Sequence, residues 1–203
     1  MQYFVYGEME MSYLRERDLA LGRVIDLVGP IERIVNPDLF ESLINSIVSQ
    51  QISSRAASTV KERIQGLLGN VTPYTVSKCD VGMLQQCGLS HRKVGYIKEI
   101  ARAVLDGHFD LEALRSMNDE EVCKALSSLK GIGVWTAEML MLFSMQRPDV
   151  LSYGDLAIRR GLCTLHRLSE LTPSHYTHFK ELYSPFGSVA SLYIWEIAAG
   201  EVL

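Results

Sequence analysis

The chain has 203 residues, of which 47% are hydrophobic and 22% charged, and its formal net charge is −4. This length and composition allow a buried core that needs neither disulfides nor metals for its stability. The negative net charge excludes a broadly basic surface, so a nucleic-acid partner would require locally placed binding groups. The chain has four cysteines without Cys-x-x-Cys spacing, which argues against zinc and iron–sulfur clusters: Cys79, Cys87, Cys123 and Cys163.

The N-terminal segment, residues 1–17, mixes apolar residues with charged ones such as Glu8 and Arg15. It therefore lacks the uninterrupted apolar core of a signal peptide. No apolar stretch approaches the roughly 18 residues that a membrane-spanning helix requires. We expect a cytoplasmic protein without a membrane partner.

Apolar residues recur at helical spacing along most of the chain, and the alternation typical of strands is nearly absent. Asn118 with Glu121 predicts a capping box, and Thr172 followed by Pro173 predicts a helix start. Three glycines stand where helices could end: Gly66, Gly69 and Gly107. The predicted fold class is all-α, with helices over residues 38–51, 56–68, 94–105, 120–129, 134–145 and 189–199.

A turn containing Gly131 and Gly133 lies between two of these helical patterns. Two glycines around one apolar residue allow a tight turn that another chain can approach closely. The helix that begins near Val134 would offer unpaired N–H groups and partial positive charge to a phosphate. Taken alone, such a turn is equally consistent with an ordinary connection between two helices.

Four stretches occur in an order that resembles the helix-hairpin-helix DNA glycosylase superfamily, and in particular its 3-methyladenine DNA glycosylase II branch. The first combines Leu-Lys-Gly-Ile-Gly-Val-Trp-Thr-Ala at residues 129–137 with Tyr-Gly-Asp-Leu-Ala-Ile-Arg-Arg at residues 153–160. The others are residues 47–53, 88–93 and 185–196, the last containing Ser-Leu-Tyr-Ile-Trp-Glu.

The resemblance implies a two-subdomain, all-α glycosylase fold. One subdomain would consist of residues 1–34 and 145–203, and the central one of residues 35–144, ending in the helix-hairpin-helix at about 120–145. The active site would lie in the cleft between the subdomains, where the family carries its catalytic aspartate. Asp155 matches that aspartate.

Asp155 would stabilise the positive charge that develops on the deoxyribose as the base leaves, and general-base action would be secondary. A second interpretation is that Asp155 caps the helix running to Leu165, and both roles can coexist. Members that also cleave the DNA backbone carry a lysine nucleophile at the position of Trp135. The resemblance therefore implies a monofunctional enzyme, with Lys130 as a phosphate contact.

The flipped base would be held against aromatic or apolar side chains. Trp195 matches a base-pocket tryptophan of the family and can select a cationic methylated purine by stacking. For either tryptophan the alternative is core packing. The predicted base-pocket residues are Trp135, Trp195, Tyr153, Met139 and Leu156, the last two standing where some bacterial relatives have tyrosines.

Gln51 stands where the family carries the residue that fills the space left by the flipped base, next to Ile52 and Ser53. The alternative is that Gln51 is a polar helix C-cap. Arg92 and Lys93 begin a helix and would be either phosphate ligands or solvated surface charges. The hairpin would contact DNA through Lys130, Gly131, Ile132, Gly133, Val134 and Thr136.

The predicted function is removal of alkylated bases of the 3-methyladenine and 7-methylguanine type from double-stranded DNA by a monomeric enzyme, nucleoid-associated if the source is bacterial. The alternatives are a glycosylase for another damaged or mismatched base, and a noncatalytic DNA-binding protein. No cofactor is expected to be required, and no metal bound by side chains. The resemblance implies that a Na⁺ or K⁺ ion can bind to carbonyls of the hairpin.

Overall fold

The computed structural model describes residues 2–200, and in this part of the chain it contains twelve α-helices and one two-stranded sheet. The all-α prediction is confirmed. The sheet pairs Gln2 with Val35 and Tyr3 with Ile34 in antiparallel register. In chain order the elements are β1 (Gln2–Tyr3), α1 (Glu8–Arg17), α2 (Leu19–Val28), β2 (Ile34–Val35), α3 (Leu39–Ser49), α4 (Ser54–Leu68), α5 (Pro73–Lys78), α6 (Val81–Gln86), α7 (His91–Leu105), a 3₁₀ turn (Ala113–Ser116), α8 (Asp119–Ser127), α9 (Val134–Phe143), α10 (Leu156–His166), α11 (Pro173–Tyr183) and α12 (Gly187–Ala199).

The predicted helix starts are present. The Asn118 side chain accepts from the Glu121 N–H, and the Glu121 side chain accepts from the Asn118 N–H, which completes the capping box. Thr172 caps α11, and Pro173 is its first residue. Gly69 is the C-cap of α4, whereas Gly66 lies inside that helix, so the expected helix end at Gly66 is wrong. The buried apolar residues of α4, the last of them Ile64, outweigh the low helix propensity of one glycine.

The chain divides into two compact units. The first contains the residues up to Val35 and those from Met141 onward, and the second contains Asn36–Leu140. In the second unit, the buried faces of α3 and α7 contribute Leu43, Ile47, Val94 and Ile97 to the core.

In the first unit, α10 and α12 approach each other closely at Gly161. A Cβ atom at this position would lie 2.4 Å from the Ile194 carbonyl oxygen, so the contact requires glycine. Leu162 and Ile194 are completely buried beside it. This close approach fixes where the first residue of α10 stands relative to the side chains of α12.

The segment that leads into α10 is held on α12 by two buried serines. The Ser188 hydroxyl accepts from the Val150 N–H at 2.9 Å and donates to the Arg147 carbonyl. The Ser191 hydroxyl donates to the Val150 carbonyl at 2.8 Å. These bonds hold the chain immediately upstream of α10, so the start of that helix has a defined position.

A buried polar cluster joins three helices of the same unit. Asp18 Oδ1 accepts from the N–H groups of Ala20 and Leu21, and its Oδ2 accepts from the Tyr183 hydroxyl at 2.7 Å. His166 Nε2 lies 3.2 Å from the same Oδ2. Burial alone would raise the pKa of Asp18, but the bonds from His166, Tyr183 and the backbone outweigh it and hold the pKa at about 2.

Candidate active site and nucleic-acid interface

Asp155 immediately precedes α10 and caps it. Its Oδ1 accepts from the N–H groups of Ala157 at 2.8 Å and Ile158 at 2.9 Å. The residue is only 8% exposed. The capping interpretation is thus confirmed, and it orients the carboxylate at the positive end of the helix dipole.

A third donor reaches the same oxygen of Asp155. Nε1 of Trp195, on α12, donates to Oδ1 at 3.3 Å. The indole stacks on Phe143 with ring centroids 5.5 Å apart and planes inclined by 24°. The carboxylate and the indole are therefore fixed to each other as one group.

Arg33 and Glu196 complete the surroundings of the indole. The Arg33 guanidinium carbon lies 5.8 Å from the centre of the Trp195 ring, and a terminal nitrogen of Arg33 lies 3.7 Å from the Glu196 carboxylate. Arg33 Nε is buried without a hydrogen-bond partner among residues 2–200. Phe143 and Arg33 were not predicted from the sequence, because an apolar residue at a helix end and a lone arginine carry no motif.

Tyr153 is engaged with neighbours of its own unit. Its ring lies 4.9 Å from that of Tyr176, and the Arg159 guanidinium carbon lies 5.1 Å from its centre. Its hydroxyl donates to the Leu171 carbonyl at 3.5 Å. Leu156, by contrast, is 73% exposed.

Trp135 and Met139 lie on α9. Trp135 is 48% exposed, so the core-packing alternative is wrong for this tryptophan. Met139 is partly exposed. Both side chains are therefore accessible from solvent.

The turn between α8 and α9 has the predicted helix–turn–helix arrangement. The Ile132 N–H donates to the Leu129 carbonyl at 3.0 Å, and the Ala137 N–H to the Gly133 carbonyl at 2.9 Å, which starts the hydrogen-bond ladder of α9. The preceding N–H groups of the first turn thus have no earlier carbonyl of the helix to bond to. Val134 is exposed at this end.

Gly131 is required by its conformation and by its neighbour. Its φ is +89°, and a Cβ atom would lie 2.5 Å from a ring carbon of Tyr96. Tyr96 on α7 therefore packs directly against the turn, a contact that the sequence analysis did not predict.

Two of the predicted hairpin residues, Ile132 and Thr136, have buried side chains, so their predicted contacts with DNA would be made by their backbone. The burial follows from the turn, which points Ile132 inward as its one apolar residue. Lys130 is exposed, and its Nζ lies 2.6 Å from the Glu99 carboxylate.

The loop after α3 is tied to the hairpin. Gln50, not Gln51, is the C-cap of α3, and its Nε2 donates to the Gly131 carbonyl at 2.7 Å. Gln51 is exposed and has a left-handed φ of 57°. Ile52 is exposed beside it, and Ser53 caps α4. The C-cap interpretation of Gln51 is therefore wrong, because Gln50 already occupies that position.

The two basic residues at the start of α7 differ. Arg92 is exposed, and its guanidinium reaches the Gln51 side-chain oxygen at 3.5 Å. Lys93 instead directs its Nζ into the protein, donating to the carbonyls of Val48 at 2.8 Å and Gln50 at 2.7 Å. Neither interpretation of Lys93 from sequence included this arrangement.

Within residues 2–200, no three or more His, Cys, Asp or Glu side chains form a group that could hold a metal ion. In the same part of the chain, no helix combines the length and the apolar character needed to cross a membrane.

Comparison with known proteins identifies the family. Residues 44–185 match the model of the HhH-GPD superfamily of base excision DNA repair proteins, and because this is more than half of the chain, the chain belongs to that superfamily. DNA-3-methyladenine glycosylase 1 of Schizosaccharomyces pombe is 33% identical, over 94% of this chain and 86% of that protein.

Solved structures agree with this assignment. The DNA-3-methyladenine glycosidase of Bacillus halodurans superposes with a TM-score of 0.87 and 34% identity, covering 98% of this chain and 93% of that one. A 3-methyladenine DNA glycosylase of Schizosaccharomyces pombe in complex with abasic DNA gives 0.80 and 33%, covering 93% and 95%. The superfamily membership inferred from the motifs is confirmed.

Replacing Gly131 with alanine is expected to destabilise the second unit. Alanine resists the left-handed conformation, and its Cβ atom would overlap the Tyr96 ring, so the free energy of unfolding should fall by at least about 2 kcal/mol. Urea denaturation measures this.

The control is Gly66→Ala, where nothing lies within 4 Å of the new Cβ atom. That substitution, inside a helix, should raise the free energy of unfolding by roughly 0.5–1 kcal/mol. Equal stability of the Gly131 variant and the original protein would contradict the assigned contact.

Proposed function

We propose that this protein is a DNA glycosylase that hydrolyses the N-glycosidic bond of alkylated bases, of the 3-methyladenine and 7-methylguanine type, in base excision repair. The observation that carries the proposal is the buried Asp155 carboxylate, held by three donors including the Trp195 indole. The relatives named above as 3-methyladenine glycosylases support the substrate class. We place it in the glycosylase II branch.

The proposed chemistry follows from the charge of the transition state. As the bond between base and deoxyribose breaks, positive charge develops at C1′, and a fixed carboxylate beside this atom lowers the barrier. An alkylated purine is already a cationic leaving group and needs little acid assistance. Asp155 therefore acts chiefly by electrostatic stabilisation, and activation of the attacking water is secondary.

Base recognition would use the indole faces. A desolvated methylpurinium stacked on tryptophan gains on the order of 1–2 kcal/mol over a neutral base. Trp195 is the principal candidate because its N–H contacts Asp155, and Trp135, Met139 and Leu156 are further candidates. Tyr153 is the weakest candidate, since its ring already packs on Tyr176.

We further propose that the enzyme lacks DNA lyase activity. The position of the family's lysine nucleophile is taken by Trp135, whose indole nitrogen cannot form a Schiff base. Lys130, the nearest lysine in the chain, is bonded to Glu99, and this bond raises the pKa of its ammonium. A protonated amine is not a nucleophile.

Double-stranded DNA is the proposed partner of a monomeric enzyme. Gln51, with Ile52 and Ser53 in the same loop, would fill the space left by the flipped nucleotide, and Arg92 and Lys130 would contact phosphates. The backbone N–H groups of Gly133 and Val134 would bind a further phosphate at the start of α9. We also propose that a Na⁺ or K⁺ ion binds carbonyl oxygens of the hairpin, among them that of Leu129, which accepts one bond from Ile132 and keeps a second lone pair.

Replacing Asp155 with asparagine is expected to remove activity without unfolding the protein. Asparagine retains the oxygen that caps α10, so the helix start is preserved while the negative charge is lost. Single-turnover release of 7-methylguanine from methylated duplex DNA should fall by at least about 100-fold. Binding of the same duplex should change by less than about twofold.

The matched control for this variant is Asp38→Asn. Asp38 caps α3 in the same manner, its Oδ1 accepting from the Glu41 N–H at 2.9 Å. This substitution should leave base release within about twofold of the original. Release by the Asp155→Asn variant at the original rate would show that the carboxylate has no part in the reaction. If the original protein and both variants release no base, the protein is a noncatalytic DNA-binding protein.

The absence of lyase activity is tested by borohydride trapping. The protein is incubated with duplex DNA containing an abasic site and reduced, and a Schiff base would be captured as a covalent adduct. We expect no adduct above that of a protein-free sample, while a lysine-dependent bifunctional glycosylase treated in parallel gives one. A robust adduct would contradict the proposal. If the adduct then disappeared in a Lys130→Gln variant, Lys130 would be the nucleophile.

A further inference from the structure

Lys93 supports the end of α3 from the neighbouring helix α7. Its ammonium donates to the carbonyls of Val48 at 2.8 Å and Gln50 at 2.7 Å. Val48 lies in the last turn of α3 and Gln50 is the C-cap of that helix, so α3 itself offers neither carbonyl a donor. A cation at the negative end of the helix dipole satisfies both.

The segment that follows, residues 50–53, is called the plug loop. Its Gln51 holds a left-handed φ of 57°, a conformation that costs a residue other than glycine about 1 kcal/mol or more and persists where neighbours enforce it. Immediately before it, the Gln50 carbonyl accepts from Lys93 and the Gln50 side chain donates to the Gly131 carbonyl. Both the loop and the hairpin thus depend on Gln50, and the position of Gln50 depends on Lys93.

A second lysine on α7 provides an internal comparison. Lys98 Nζ donates to the carbonyls of Val76 at 3.2 Å, Ser77 at 2.7 Å and Cys79 at 2.6 Å, at the end of α5. The interaction is of the same kind, because in both cases a partly buried ammonium donates to carbonyls at the end of a helix. At that site, however, the residues that follow, Asp80 onward, begin α6 without a left-handed residue.

We propose that Lys93 is a positioning residue of the glycosylase, not a phosphate ligand. Its ammonium holds the plug loop in the conformation that presents Gln51 and Ile52 to DNA and, through Gln50, keeps the loop in register with the hairpin. A phosphate could recruit this ammonium only by withdrawing it from the two carbonyls that it satisfies. This inference rests on the proposed function, since presentation of Gln51 matters only if a base is flipped.

The experiment compares Lys93→Gln with Lys98→Gln and Arg92→Gln. Glutamine cannot donate to two carbonyls with the strength of an ammonium, so both lysine variants lose a helix-terminal cap. The logarithm of duplex affinity is measured against the logarithm of salt concentration, because loss of one phosphate contact reduces the slope by about 0.9. Single-turnover release of 7-methylguanine is measured at saturating protein and at a temperature where all variants are folded.

For Lys93→Gln we expect an unchanged salt slope and a release rate at least about 10-fold lower. For Lys98→Gln we expect an unchanged slope and a rate within about twofold of the original, and for Arg92→Gln a slope reduced by about 0.9. If Lys93→Gln reduced the salt slope and left the rate of base release at saturating protein equal to that of the original, Lys93 would be a phosphate ligand. Equal losses of rate in the two lysine variants would show that it is only a structural cap.

Amide hydrogen exchange separates this inference from the proposed function. Lys93→Gln should accelerate exchange in residues 50–53, and Lys98→Gln should not. If the original protein releases no base while the exchange result holds, the proposed glycosylase activity is wrong but Lys93 still fixes the loop. If exchange in the loop is unaffected by Lys93→Gln, the positioning role is wrong whether or not the protein excises bases.

Discussion

A single carboxylate oxygen, Oδ1 of Asp155, accepts from the backbone of Ala157 and Ile158 and from the indole of Trp195. Two of these donors belong to α10 and the third to α12, so the oxygen is fixed only if the two helices keep their spacing. Gly161 permits that spacing, since any side chain there would meet the Ile194 carbonyl. The serines at 188 and 191 fix the incoming chain. The geometry of the carboxylate therefore follows from the packing of the entire first unit.

The same constraint explains how Asp155 would serve both folding and the proposed chemistry. An aspartate at a helix start is stabilising because its oxygen satisfies N–H groups and faces the positive end of the dipole. A carboxylate held in this way does not need to reorganise when positive charge appears next to it, which is the condition for electrostatic catalysis. Folding thus supplies the preorganisation that the proposed reaction requires.

A net charge of −4 opposes binding to the negatively charged DNA backbone, so binding requires local groups that attract phosphate, and the second unit carries the proposed ones. In the proposed function, backbone N–H groups at the start of α9 bind a phosphate, and this contact needs few basic side chains. The shape of the hairpin depends on contacts from two other elements, Tyr96 of α7 beneath Gly131 and the Gln50 side chain on the Gly131 carbonyl. The turn is therefore held by its neighbours and not by its own sequence alone.

Local signals allowed the helices α3, α4 and α7 to α12, the capping box at Asn118, the caps at Asp155 and Thr172 and the glycine turn at Gly131 to be predicted, because each depends on residues close together in the chain. The short or weakly patterned helices α1, α2, α5 and α6 were not predicted, and the roles proposed for Trp195 and Gln51 came from the family resemblance. What the sequence did not reveal were contacts between distant elements: Phe143 and Arg33 around the indole, Tyr96 under the hairpin, and Lys93 on the carbonyls of α3. A lysine that caps a helix from another helix has the same local sequence as one that faces solvent.

Because the Trp195 N–H donates to the Asp155 carboxylate, we expect it to contribute to base release through that carboxylate, and a double-mutant cycle tests this directly. Trp195→Phe keeps an aromatic ring against Phe143 but removes the N–H donor and part of the stacking surface, and its single-turnover base release is compared in the original protein and in the Asp155→Asn background. The lost stacking lowers release in both backgrounds, so we predict a loss at least about fivefold greater in the original protein, because in the other background the indole has no charged partner left to orient. An equal loss in both backgrounds would show that the indole and the carboxylate act independently, which would contradict the account.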